Sequence, residues 1–303
     1  MGTFMLLTLL FAFATAPVMP EPVDAPAIIV STTRLTDAEI NKGAGDYVRS
    51  VLPTPTYGQY ARWADPVCAK VTGIEDSYAA LVMARVMAAA DAAGVKRGKP
   101  GCRPNLSIVF SEDAATTVKA IVRKKPGLVS GLSGPERARL LGNPLPVRSW
   151  HVIELRGSDG RAAAPDASGA LMSAQSGGGT PLGNVLPGSA AQTSSWSSSL
   201  IDTHVAVWAT RAVVVVDVTL AAGKPLDAVG DYVAMVALAP MRLPPPAPGV
   251  TSILGLFTGQ QSSSELSEWD RAFLKSLYRI RMNRSGFQQR GLLVGGIKAE
   301  LAK

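Results

Sequence analysis

The chain has 303 residues, 47% hydrophobic and only 17% charged, which excludes wholesale disorder and allows one large domain or two small ones. The formal net charge is +7. For an exported chain the natural anionic partners are membrane surfaces, cell-wall polymers or acidic proteins, and nucleic acid is not an expected partner.

Residues 1–16 read as a secretory signal. Phe4 to Phe13 is apolar apart from Thr8, too short to span a bilayer, and two small-x-small cleavage sites follow at Ala12-Phe13-Ala14 and Ala14-Thr15-Ala16. The expected location is therefore periplasmic or secreted. The alternative is a buried N-terminal helix or an uncleaved anchor. Residues 17–33 read as an extended leader. Residues 34–303 are expected to form a single α+β domain, a mixed twisted sheet with helices packed on it.

Thr36 and Glu39 form a capping box, and Ile40, Ala44, Tyr47, Val48, Val51 and Leu52 then share one face at helical spacing until Pro53. Tyr57 to Trp63 predicts a short strand. A second helix is expected over 75–93, ending at Gly94, with Tyr78, Leu81, Val82, Val86 and Met87 as its buried stripe. Cys68 and Cys102 are the only cysteines, and in an oxidising compartment an isolated pair bonds. Such a disulfide would tie the segment before this helix to the strand after it, Leu106 to Phe110. The alternative is two unconnected buried thiols.

Asp113 caps a third predicted helix that Pro126 closes, and Ser133 opens a short one ended by Gly142 and Pro144. Val147 to Leu155 predicts a strand. From 157 to 199 the composition turns to Gly, Ser, Ala and Pro, which predicts a long flexible insertion. Ile201 to Trp208 and Arg211 to Leu220 follow as two strands or one bent one. The run Val213 to Val216 suits a strand buried on both faces. Helices are predicted from Leu226 to Leu238 and from Ser267, the latter with Trp269, Phe273, Leu274 and Leu277 inward. A basic segment without an assigned element runs on to Lys303.

The chemistry-bearing residues are few. His151 and His204, both in predicted strands, are the only histidines. Joining them to Cys68 and Cys102 as a zinc site matches no zinc-finger spacing, so no metal is expected. Asp202 and His204 are weak candidates for the acid and base of a triad, since alternate strand residues share a face. Gly131-Leu132-Ser133-Gly134-Pro135 approaches a nucleophile elbow but carries Pro at the last position. No phosphate loop or dinucleotide fingerprint occurs, so no cofactor is expected. Arg271, Lys275, Arg279, Arg281, Arg284, Arg290, Lys298 and Lys303 concentrate positive charge near the C-terminus. They suit either a solvated face or an anionic envelope surface or acidic protein as partner.

The segments Leu226-Asp227-Ala228-Val229-Gly230-Asp231-Tyr232-Val233-Ala234-Met235, Ser252-Ile253-Leu254-Gly255-Leu256-Phe257 and Leu266 to Tyr278 follow the two predicted strands in a distinctive order. Over about residues 200–280 this order resembles uncharacterised exported families of Gram-negative bacteria that look like distant relatives of zinc metallopeptidases of the metzincin type. The resemblance implies a metallopeptidase-like fold. Where such a helix would carry two His and a Glu, this one offers Asp231, Tyr232 and Met235, which implies a member without the zinc site. Asp231 is a further weak catalytic candidate, against its reading as a helix-surface carboxylate. The expected function is a non-catalytic binding or structural protein of the cell envelope. The alternative is a peptidase- or esterase-like hydrolase with a site near His204.

Overall fold

A computed structural model describes residues 35–55, 58–142, 144–157, 203 and 205–303. The expected signal, the leader, most of the 157–199 insertion, Asp202 and His204 lie outside these residues. The architecture below belongs to Thr36–Lys303, which forms one unit. Among the described residues no helix is long and apolar enough to cross a membrane.

The strands are β1 (Arg62–Trp63), β2 (Ala69–Thr72), β3 (Leu106–Ser111), β4 (Val147–Gly157) and β5 (Val205–Asp217). The helices are α1 (Asp37–Val51), α2 (Asp76–Ala93), α3 (Ala114–Lys124), α4 (Gly134–Gly142), α5 (Leu226–Leu238), α6 (Glu268–Arg279) and α7 (Gly286–Leu301), with 3₁₀ turns at Pro126–Val129 and Ile253–Gly255. This is the expected α+β domain with a mixed sheet.

β5 is the spine of the sheet. β3 and β1 pair with it in parallel on one side, β2 extends the sheet beyond β3, and β4 runs antiparallel along the other side. Alternation along β5 sends Ala212, Val214 and Val216 into a large core under α1, α2, α5, α6 and α7. Val213 and Val215 enter a smaller core under α3, α4 and Trp150. The valine run is buried on both faces, as the sequence predicts.

Helix starts follow their caps. Thr36 and Glu39 make the expected box at α1, Asp113 accepts from Thr116 N–H at α3, and Ser267 and Asp270 make a second box at α6. α2 ends at Gly94, whose φ of +84° is a left-handed conformation that glycine adopts without steric cost. Arg62 is buried and donates to the Leu277 and Ile280 carbonyls, closing the C-terminal end of α6 onto β1. Its burial lowers the guanidinium pKa to about 10.

Cys68 and Cys102 are bonded, with Cα atoms 6.1 Å apart, so the bridge flanks the β2–α2–β3 unit. The side chain of Asn105 accepts from Cys68 N–H (2.7 Å) and donates to Pro66 O (3.0 Å) beside it.

Several expectations are corrected. Of the strand expected over 57–63, Tyr57 lies outside the described residues and the rest shortens to β1, with Tyr60 N–H going instead to Gln289 Oε1 on α7 (2.7 Å). Of the two readings of 201–220, the single irregular strand holds from Val205: β5 is continuous, and Thr210 has no register partner where Val152 pairs with Arg211 and Ile153 with Ala209. Tyr78 is not in the buried stripe of α2 but 54% exposed, since the helix packs through Val82, Val86, Ala89, Ala90 and Ala93 against the equally close-packed α5. The unassigned C-terminal segment contains α7.

Candidate functional site

β4 pairs with β5 alone, so among the described residues its other side is an unpaired sheet edge, with Val147 to Trp150 buried. Asp217 N–H donates to Pro146 O (2.8 Å), which makes 146 and 217 a hydrogen-bonded pair. Antiparallel alternation then assigns the backbone groups of Arg148, Trp150 and Val152 to β5. The N–H and C=O groups of Ser149 and His151 therefore point away from β5, and both residues line a cleft of about 90 Å³. Tyr60, Leu132 and Met241 help to wall it.

Two polar side-chain atoms on the cleft lining lack partners among the described residues. Trp150 Nε1 is a buried donor and Gln59 Oε1 a buried acceptor, and neither makes a hydrogen bond. The amide nitrogen of the same Gln59 donates to Val205 O (3.1 Å) and to Thr203 Oγ1, so the side chain is fixed with its oxygen unused. A buried unpaired donor or acceptor costs about 1–3 kcal/mol. Gln59 and Trp150 both line this cleft, so it holds one unmet acceptor and one unmet donor, a pair that a ligand offering both N–H and C=O could satisfy.

His151 anchors the strand from the other face. Its Nε2 donates to Ala237 O (2.9 Å), a carbonyl in the last turn of α5 that also accepts from Trp63 Nε1 (2.9 Å). The Trp63 ring meets the imidazole edge-on, centroids 6.3 Å apart. Burial, opposed in part by the Ala237 hydrogen bond, lowers the His151 pKa to about 4, so at neutral pH the ring is uncharged. On the α4 side, the Arg148 guanidinium donates to Leu145 O (2.8 Å) and Leu140 O (3.2 Å), tying the strand to α4.

The residues singled out on α5 do not join this cleft. Asp231 is buried rather than on the helix surface, and it is fully engaged: it accepts from Arg85 Nε (2.8 Å) and Leu266 N–H (2.9 Å) and pairs with Arg85 Nη2. Tyr232 stacks edge-on with Phe257 at 4.9 Å, and burial pushes its pKa up. Met235 sits in the core. Thus the three positions that stand where a metallopeptidase helix would carry ligands face three different neighbours. Cys68 and Cys102 are committed to each other. Among the described residues no three His, Cys, Asp or Glu side chains come together as a metal set.

Asp202 and His204 lie outside the described residues. Thr203 between them donates its N–H to Asn283 O (2.8 Å). Ser133 accepts from Glu136 N–H and donates to Glu136 Oε2 (2.6 Å), so the elbow-like segment serves as the cap of α4. Trp150, Ser149 and Gln59 carry no motif; the alternation of β4 is the sequence signal for the first two, and Gln59 has none. Comparison with protein-family models, with curated proteins and with solved structures returns no match for this chain.

Proposed function

We propose that this is a non-catalytic binding protein of the cell envelope that takes an extended polypeptide segment along the unpaired edge of β4. The observation that carries the proposal is the unpaired donor and acceptor, Trp150 Nε1 and Gln59 Oε1, lining one cleft with the outward backbone groups of Ser149 and His151. An added strand would pair with those backbone groups, and pockets beside them would read alternate side chains. Export is part of the proposal. It is supported by the apolar N-terminal run in the sequence and by the Cys68–Cys102 bond, which suits an oxidising compartment. The order β5, buried α5, Ser252–Ile253 turn and α6 ending in Leu277-Tyr278 supports reading the domain as a ligand-less relative of metzincin-type metallopeptidases.

Selection of random peptides displayed on phage, followed by hydrogen exchange on the purified protein with a selected synthetic peptide, tests this. The amides of Ser149 and His151 are expected to gain protection. Ser149→Pro removes an outward donor without touching the ladder to β5, and is expected to weaken binding about tenfold. Protection confined to another surface, or cleavage of the selected peptides, would overturn the proposal.

A further inference from the structure

We infer that the outward face of α7, with the groove between α6 and α7, docks the protein on a bilayer surface rich in anionic phospholipid. Phe287, Gly291, Gly295 and Ala299 recur every four residues, so they form one line along the helix, and all four are exposed. Phe287 is 78% exposed and Leu292, beside the line, 49%. The other face is buried through Gln289, Leu293 and Ile297. A helix that is apolar on both faces has one face without its partner.

The charges around this face point to what that partner is. Arg290 lies over the Phe287 ring at 5.8 Å and, with Lys298, borders the line on one side. Across a groove of about 680 Å³ stand Arg279 and Arg281. The one carboxylate among the described residues lining that groove, Glu300, is shared by Lys275, Arg279 and Lys303. On the groove floor α6 and α7 pack closely, with Ser276 2% exposed and its Oγ so near Gly296 that a Cβ there would stand 2.7 Å from it. Two protruding apolar side chains on a flat line of small residues suit shallow insertion at headgroup depth. Cations on both borders match a continuous anionic surface.

Sedimentation with vesicles tests the inference: phosphatidylglycerol mixed with phosphatidylcholine, against phosphatidylcholine alone. The protein is expected to pellet only with the anionic vesicles, to be released as salt rises, and to be indifferent to millimolar inorganic phosphate. Phe287→Ser is expected to weaken partitioning about tenfold. Arg281→Gln with Arg290→Gln is expected to weaken it roughly twenty-fivefold, about fivefold for each cation. All three positions are exposed, so the variants keep the fold, which circular dichroism verifies. Failure to pellet, or pelleting that none of these substitutions changes, overturns the inference. Full release by inorganic phosphate would reduce the site to a free-phosphate pocket. Capture by poly-glutamate without vesicle binding would replace the membrane with an acidic protein.

Discussion

His151 gives the β4 edge a pH dependence whose sign follows from burial. Its folded pKa of about 4 lies below the ordinary value of 6.5. Between these values the unfolded chain binds a proton that the folded chain refuses, so stability falls as pH falls through the window. Above it neither state is protonated, and below it both are. The loss is on the order of 3 kcal/mol across the window. Urea denaturation at a series of pH values measures it. His151→Gln keeps a donor for Ala237 O and cannot titrate, so its midpoint is expected to change less between these pH values than that of the parent. Sequence alternation places His151 on a strand. That the strand is outermost was not legible there, because strand order depends on β3 and β5 meeting across about a hundred residues of chain.

Elements with local punctuation were legible, and those whose identity depends on distant partners were not. The bounds of α1, α2, α3 and α5 follow from Thr36, Gly94, Asp113 and Pro225, each acting on its own backbone. α7 has no polar face to generate a helical period, and β2 is only four residues long, too short to display an alternation. The joint between elements rests on one carboxylate of the same buried class. Asp270 is 0% exposed and accepts from Tyr47 Oη (2.6 Å), Ser252 Oγ (2.6 Å), Ile253 N–H (2.8 Å) and Ser267 N–H (2.9 Å), so it fastens α1 and the 253–255 turn to the start of α6. Burial and the adjacent Asp270 raise the Tyr47 pKa well above its ordinary value, which keeps the phenol a donor. Asp270→Ala would leave these donors buried without an acceptor. The expected loss is on the order of 4 kcal/mol, a fall in melting temperature of about 10 °C. Asp270→Asn retains one acceptor oxygen and is expected to lose about half as much.

For the molecule as a whole, the Cys68–Cys102 bond acts mainly on the unfolded chain. It closes a loop of sequence separation 34 around α2, a constraint worth about 3–4 kcal/mol on the chain-entropy model. In the folded state the neighbourhood is also held without it. Val67 N–H donates to Lys96 O (2.8 Å), Gly98 N–H to Val67 O (2.8 Å), and Asn105 spans Pro66 and Cys68. Gly98 lies so close that a Cβ there would stand 2.6 Å from Cys102 Sγ, so the bridge is packed against backbone. Reduction should therefore leave the fold intact while lowering its melting temperature by about 10 °C. Calorimetry with and without a thiol reductant reads the shift, and near-ultraviolet circular dichroism checks that the folded state persists. A shift of that size would give the folded chain a marked advantage in a compartment that oxidises cysteines. An unchanged melting temperature would mean that the sheet and its two helical layers supply the stability alone, and would remove the disulfide as an argument for export.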